Sequence, residues 1–305
     1  MTEVILEIFM TYIYIAIAAY MLFAVNGVID KFLLTRAVKH PAAYAFYIGI
    51  TGFLSFLLIP FGLQFIGPVD LLIALVGGAS FVVALVFLYI ATRQTSISRL
   101  LPIEGGFVPI FTLIFAYVFL GERLSGGQTL AFVFLVAGAV LISLKHDQEG
   151  WHPRALGNAV IAAAFFALSF VLTKYIFELT NFVSGLIWTR LGFLAVSLSM
   201  LIPRKTRRHI FNAPKDAGQG NMYLYYGARL SGGLAGLLQN YAISIGSVTL
   251  VNAMQGTQYA FLLALTVWLS KYYPKILKER INYTVLAQKV GAIALISIGL
   301  ILLKS

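Results

Sequence analysis

The chain has no cysteine, which excludes disulfides and thiolate metal sites. Charge is scarce too. Charged side chains make up 11% of the 305 residues, against about 25% in an ordinary soluble domain. Histidine is confined to His40, His146, His152 and His209, all in polar segments between apolar runs. That argues against a buried metal-dependent enzyme, and no metal is expected. The aspartates Asp30, Asp70, Asp147 and Asp216 fall at run ends or between runs. No nucleophile and base stand in register for hydrolysis inside a membrane. The phosphate-cradling loop of ATP-driven machines is absent as well. No enzyme and no cofactor are expected.

What remains is oil. Hydrophobic residues reach 60% and the mean hydropathy is +0.90. Runs of roughly 20 apolar residues can cross the hydrocarbon core as helices, which satisfy their own backbone hydrogen bonds where lipid cannot. Such runs occur near 9–28, 43–66, 71–91, 97–119, 127–144, 156–175, 183–203, 222–243, 249–270 and 284–303. Segments such as Val133-Phe134-Leu135-Val136-Ala137 lack the polar alternation of a membrane barrel. The first run is preceded by Glu3 and Glu7 without a lysine or arginine, so it reads as a membrane helix and not a cleavable signal.

The formal net charge is +11. With no soluble domain to hold nucleic acid, these cations are expected to meet anionic lipid headgroups. Lysine and arginine concentrate after runs 1, 3, 5, 7 and 9, most densely at Arg204-Lys205-Thr206-Arg207-Arg208. The opposite side holds only Arg123, Lys174 and Lys304. The positive-inside rule then places the odd-numbered loops in the cytoplasm and both termini outside the cell (inner) membrane.

The chain also repeats itself. Lys31-Phe32-Leu33 aligns with Lys174-Tyr175-Ile176, Gly49 with Gly192, and Ile59-Pro60 with Ile202-Pro203, at one constant offset. Farther on, Ala91 aligns with Ala242, Ser96 with Ser247, Glu104-Gly105 with Gln255-Gly256, and Glu122-Arg123 with Glu279-Arg280. The expected fold is an all-α polytopic membrane protein of ten transmembrane helices in two five-helix repeats, 1–146 and 147–305. Five is odd, so the second repeat enters from the opposite face. Inverted repeats bind solutes near the midplane and alternate access by rocking.

Ser96 to Ser143 reads SISRLLPIEGGFVPIFTLIFAYVFLGERLSGGQTLAFVFLVAGAVLIS. It resembles the EamA repeat of the drug/metabolite transporter superfamily in Pro109, the Gly121-Glu122-Arg123 turn and Gly138. The second half departs from that pattern with Lys278-Glu279-Arg280 and with Ala260 opposite Pro109. The resemblance implies a ten-helix transporter with a central cavity lined by the first four helices of each half, and implies no substrate. Many eukaryotic members keep both termini in the cytosol, against the charge distribution, which is the reading kept here.

An ionisable group within a span costs about 2.5–3.5 kcal/mol on insertion scales, so each invites a reason. Glu104, in the fourth run, could load a proton or bind a cationic group, or could pair structurally with Arg229 of the eighth. Arg190, beside Trp188 and aligned with Tyr47, could fork onto a carboxylate or phosphate, or snorkel to headgroups. Lys289 sits near a helix end, where snorkelling is the simpler role. Asn252, Gln255 and Tyr259 recur at helical spacing on one face, and Asn240 joins Arg229, Gly232 and Gly236 on another. Such groups can face a solute or bond between helices.

These features point to a secondary transporter, an exporter of a small metabolite such as an amino acid or a related zwitterion or anion. The alternative is a flippase or exchanger for a lipid-linked, phosphorylated or nucleotide-sugar substrate. The expected partners are a small-molecule substrate and membrane lipids, with a homodimer left open.

Overall fold

The structure, a computed structural model, describes residues 2–36, 41–95, 97–144, 153–217, 219–272 and 283–303. Among these residues every regular element is helical and there is no strand. The first half comprises α1 (Thr2–Arg36), α2 (Pro41–Ile50) with a 3₁₀ extension (Thr51–Phe61), α3 (Pro68–Gln94), α4 (Ile97–Phe115) with a π-turn (Ala116–Leu120), and α5 (Gly126–Ser143). The second comprises α6 (Pro153–Leu179), α7 (Phe182–Ser199), α8 (Arg204–Ala217), α9 (Gln219–Ile245), α10 (Val248–Ala253), α11 (Gln255–Tyr272) and α12 (Tyr283–Leu302).

Among the described residues six helical stretches are long and apolar enough to cross a membrane: Met10–Ile29, Pro68–Gln94, Leu100–Leu120, Gly126–Ser143, Pro153–Leu179 and Phe182–Ser199. Ala45–Phe61 and Ala287–Leu302 are shorter apolar helices. The sequence runs near 43–66 and 249–270 do not form single α-helices. In the first, Thr51 Oγ1 donates to Ile48 O and Ser55 Oγ to Gly52 O. These local bonds accompany the 3₁₀ segment, which ends at Gly62 with φ +107°, a conformation that glycine adopts without strain. In the second, the helix breaks at Met254. The basic loop also holds a helix, α8, not anticipated from apolar periodicity. Ile210 is its buried anchor, while Arg204, Lys205, Arg207 and Arg208 are exposed, an arrangement suited to a headgroup layer.

Helices pack as antiparallel pairs drawn from opposite halves. Along α3 and α6, Tyr175 OH donates to Asp70 Oδ1 at one end and Asn158 Nδ2 to Gln94 Oε1 at the other. Along α1 and α9, Tyr12 lies against Gly246, Gln239 reaches Tyr20 and Ser231 reaches Asn26. Along α5 and α12, Ile296 covers Gly138, Leu135 covers Gly299, and Gln288 Nε2 donates to Leu141 O and Leu144 O. The tightest crossing joins α3 to α7, where Gly78 and Gly192 meet backbone to backbone. Small residues permit such approach, which drives helix association where lipid removes the hydrophobic drive.

One end of the bundle is stitched between the halves. Asn181 Nδ2 donates to Gly62 O at 3.0 Å, Trp188 Nε1 to Gln64 O at 2.8 Å, and Gln64 N to Ser184 Oγ at 2.8 Å. Lys174 Nζ reaches Ser244 O at 3.2 Å. Ser247 Oγ donates to Glu122 Oε1 at 2.5 Å while accepting from Leu250 N at 2.9 Å, so Glu122 steadies the residue that caps α10. Glu122 is half-buried, and solvent screening reduces the value of such a bond. Thermal melts of Glu122→Gln, Ser247→Ala and the double variant are expected to show coupling of about 1 kcal/mol. Strictly additive losses would mean that the contact carries no energy.

Candidate functional site

In α4, Pro102 lacks a backbone donor and Gly105 and Gly106 lack side chains, which allows neighbouring helices to approach closely. Tyr259 of α11 uses that room. A β-carbon at Gly105 would stand 2.8 Å from Tyr259 Cε2, so the ring lies on the glycine next to Glu104. Tyr259 is 4% exposed and its hydroxyl has no hydrogen-bond partner. Glu104 is half-buried, within electrostatic range of Tyr259, and has no hydrogen-bond or ion-pair partner among the described residues. An unpaired carboxylate beside an unpaired buried hydroxyl lacks the compensation that usually accompanies burial.

Tyr20 of α1 completes the cluster, also within electrostatic range of Tyr259. Its hydroxyl donates to Val251 O of α10 at 2.8 Å and accepts from Gln239 Nε2 of α9 at 3.3 Å. Thr249 of α10 is fully buried with an unpartnered hydroxyl. Farther along α1, Asn26 Oδ1 accepts from Ser231 Oγ at 2.8 Å while its amide nitrogen is unpartnered. Polar groups that are only partly satisfied therefore run along the seam of α1 with α9, α10 and α11, and α4 brings the Glu104 carboxylate to it. The seam of α3 with α6 and α7 is different. Phe81 stacks on Phe193 at 4.8 Å and meets Phe166 edge-on at 5.2 Å, a packing of aromatic rings.

The residues expected from sequence distribute unevenly. Glu104 and Tyr259 come together. Gln255 is half-buried at the start of α11. Asn252 is 1% exposed with Nδ2 bonded to Val248 O, and Asn240 is 8% exposed with Nδ2 bonded to Gly236 O. Each amide thus holds its own helix. The break at Met254 separates Asn252 from Gln255, so the polar stripe is not one continuous helical face. Arg190 lies over the Phe193 ring, its guanidinium 4.0 Å from the centroid, with its stem against Gly52. Trp188 holds the Gln64 carbonyl at the stitched end. Tyr47 OH donates to Ile210 O at 3.0 Å and secures α8. The side chain of Arg229 lies outside the described residues, as do those of Lys31 and Tyr44 and the segment 273–282. Lys174 is 8% exposed and pairs with Glu178 at 3.3 Å.

Tyr20 and Gln239 were not singled out from sequence. Tyr20 is a lone polar residue in an apolar run, while Gln239 adjoins Asn240, and adjacent positions point about 100° apart on a helix. Spacing alone does not tell which of the two crosses to a neighbour.

Residues 10–144 match the EamA-like transporter family, in agreement with the resemblance at Ser96 to Ser143. No curated protein matches the chain. A solved crystal structure of another protein superposes with a TM-score of 0.64 at 15% identity, covering 98% of this chain and 96% of that one. At that identity the likeness concerns the fold alone. The family match and the membrane-spanning helices point to an integral membrane protein and a membrane transporter.

Proposed function

We propose that this chain, with its EamA-like transporter domain, is a secondary transporter of the inner membrane. It exports a small amino-acid-like metabolite by alternating access between two inverted five-helix units, 1–146 and 147–305. The unpaired Glu104 carboxylate beside the unpaired Tyr259 hydroxyl is the observation that carries this reading. Evolution rarely leaves such a group within a span without a pathway or ligand for it. The antiparallel pairing of α3 with α6 and of α1 with α9 supports the inverted arrangement. The stitched end supports a state closed on one side. The basic face of α8 supports a cytoplasmic location for the opposite end.

Purified protein in liposomes is expected to drive uptake of labelled amino acids when a pH gradient is imposed, and a protonophore is expected to abolish it. Flux no greater than in protein-free liposomes across an amino-acid panel would count against the reading. For orientation, a reporter fused after Ser305 is expected to behave as extracytoplasmic; a cytoplasmic signal would reverse the assignment.

A further inference from the structure

We infer that Glu104, Tyr259 and the polar groups on α10 form a seat for the protonated amino group of the solute, and that the site reads this group and not the solute's carboxylate. The inference rests on the transport reading above and narrows its substrate class.

Ionised Glu104 accepts and cannot donate. The Tyr20 hydroxyl directs its proton to Val251 O and receives Gln239, so Tyr20 has no proton left for a ligand. Asn252, on the short helix that packs against α4, commits one amide proton to Val248 O and keeps its carbonyl oxygen as an acceptor. Tyr259 and Thr249 bring hydroxyls without partners. The cluster therefore offers a negative charge, with hydroxyls whose protons can turn to Glu104 and whose oxygens can accept from a ligand. An ammonium, with three donors and no acceptor, is its complement. A carboxylate or phosphate would set like charges together where screening is weak. The Tyr259 ring, lying on Gly105, adds a face that attracts cations.

Two described cations within the helices, Arg190 and Lys174, are engaged elsewhere. Arg190 is stacked on Phe193 in α7, which packs on α2, α3 and the 3₁₀ segment. Lys174 is held by Glu178 and Ser244 at the stitched end. Neither pairs with Glu104.

The test is a thermal-shift series on the purified protein with leucine, leucinamide and N-acetyl-leucine, and with the corresponding phenylalanine compounds. The amides, which are cations without a carboxylate, are expected to stabilise the protein at least as well as the amino acids. The N-acetyl compounds, which lack the ammonium, are expected to give no shift. Glu104→Gln places at this position the residue that its repeat partner Gln255 already carries, so it is expected to fold and to lose the response to amines. Tyr259→Phe is expected to weaken amine binding by about tenfold, the order of one hydrogen bond to a charged group. Equal shifts from N-acetyl compounds, an amine response retained in Glu104→Gln, or no response to any amine at millimolar concentration would overturn the proposal. Counterflow in liposomes separates the two readings. Amines that bind through Glu104 yet never cross would defeat the transport reading and leave the seat standing. Transport that ignores the amino group would do the reverse.

Discussion

Replacing Glu104 by glutamine is expected to reduce gradient-driven transport by roughly ten- to hundredfold, the equivalent of one charge-assisted hydrogen bond of about 1.5–3 kcal/mol. The same change is expected to leave thermal stability unchanged or raise it. Both signs follow from one fact: the carboxylate is within a span and has no partner among the described residues. A group in a structural ion pair would lose stability on neutralisation, because its partner would be stranded in a poor solvent. Among the described residues Glu104 holds nothing that glutamine would release, and removing its charge removes the cost of about 2.5–3.5 kcal/mol that insertion scales assign to such residues. Flux in liposomes and melting in detergent, measured on the same preparation, decide the matter. A variant that melts earlier but transports normally would make Glu104 a structural residue.

The largest loss of stability is expected at Gly192. A β-carbon there would stand 2.8 Å from Ala79 N and 3.0 Å from Gly78 Cα, and closer still to Leu75 O. All three are backbone atoms, so no side chain can swing aside and the whole of α7 would have to retreat from α3. Overpacking typically costs 1–3 kcal/mol, and this seam approaches the upper end because its neighbours are rigid. Gly192→Ala is expected to lower the melting temperature in detergent, and Gly192→Val to prevent the protein from accumulating in the membrane. Gly233 and Gly291 have open space where a β-carbon would go. Alanine at either is expected to be neutral or to stabilise by about 0.5–1 kcal/mol through the lost flexibility of glycine. Equal effects at Gly192 and Gly233 would mean that the close crossing does not matter. The repeat aligns Gly49 with Gly192, yet the neighbours of Gly49 are the Ser197 and Val82 side chains, which can give way. Aligned glycines need not be equally strict.

Hydropathy made the helices legible because lipid imposes one demand everywhere, an apolar run of sufficient length. It did not reveal where a run changes helix type. The 3₁₀ stretch after Ile50, with its hydroxyls bonded back to nearby carbonyls, and the break at Met254 leave average hydropathy unchanged. Helix α8 escaped notice because its few apolar residues, Ile210 among them, are set among cations and form no apolar run. In the candidate site, Glu104 was legible because a charge within a span is conspicuous, and Tyr259 because it shares a polar stripe. Trp188 and Tyr47 drew notice beside and opposite Arg190, and their polar atoms bond to backbone carbonyls of the partner half. Amphipathic rings serve equally well at a seam and at a ligand, and sequence does not distinguish the two uses. Tyr20 entered only when α1, α9 and α10 met.

The bond from Ser247 to Glu122 has a mechanical side. It pins the outer tip of the helix that carries Glu104 to the first turn of the helix whose Val251 carbonyl steadies Tyr20. Two levers sharing a hinge pin cannot spread at the tip until the pin is drawn, and any widening there must first release a single hydroxyl from a single carboxylate oxygen. A disturbance at an outer turn thus has a short, stiff path to the middle of the bilayer.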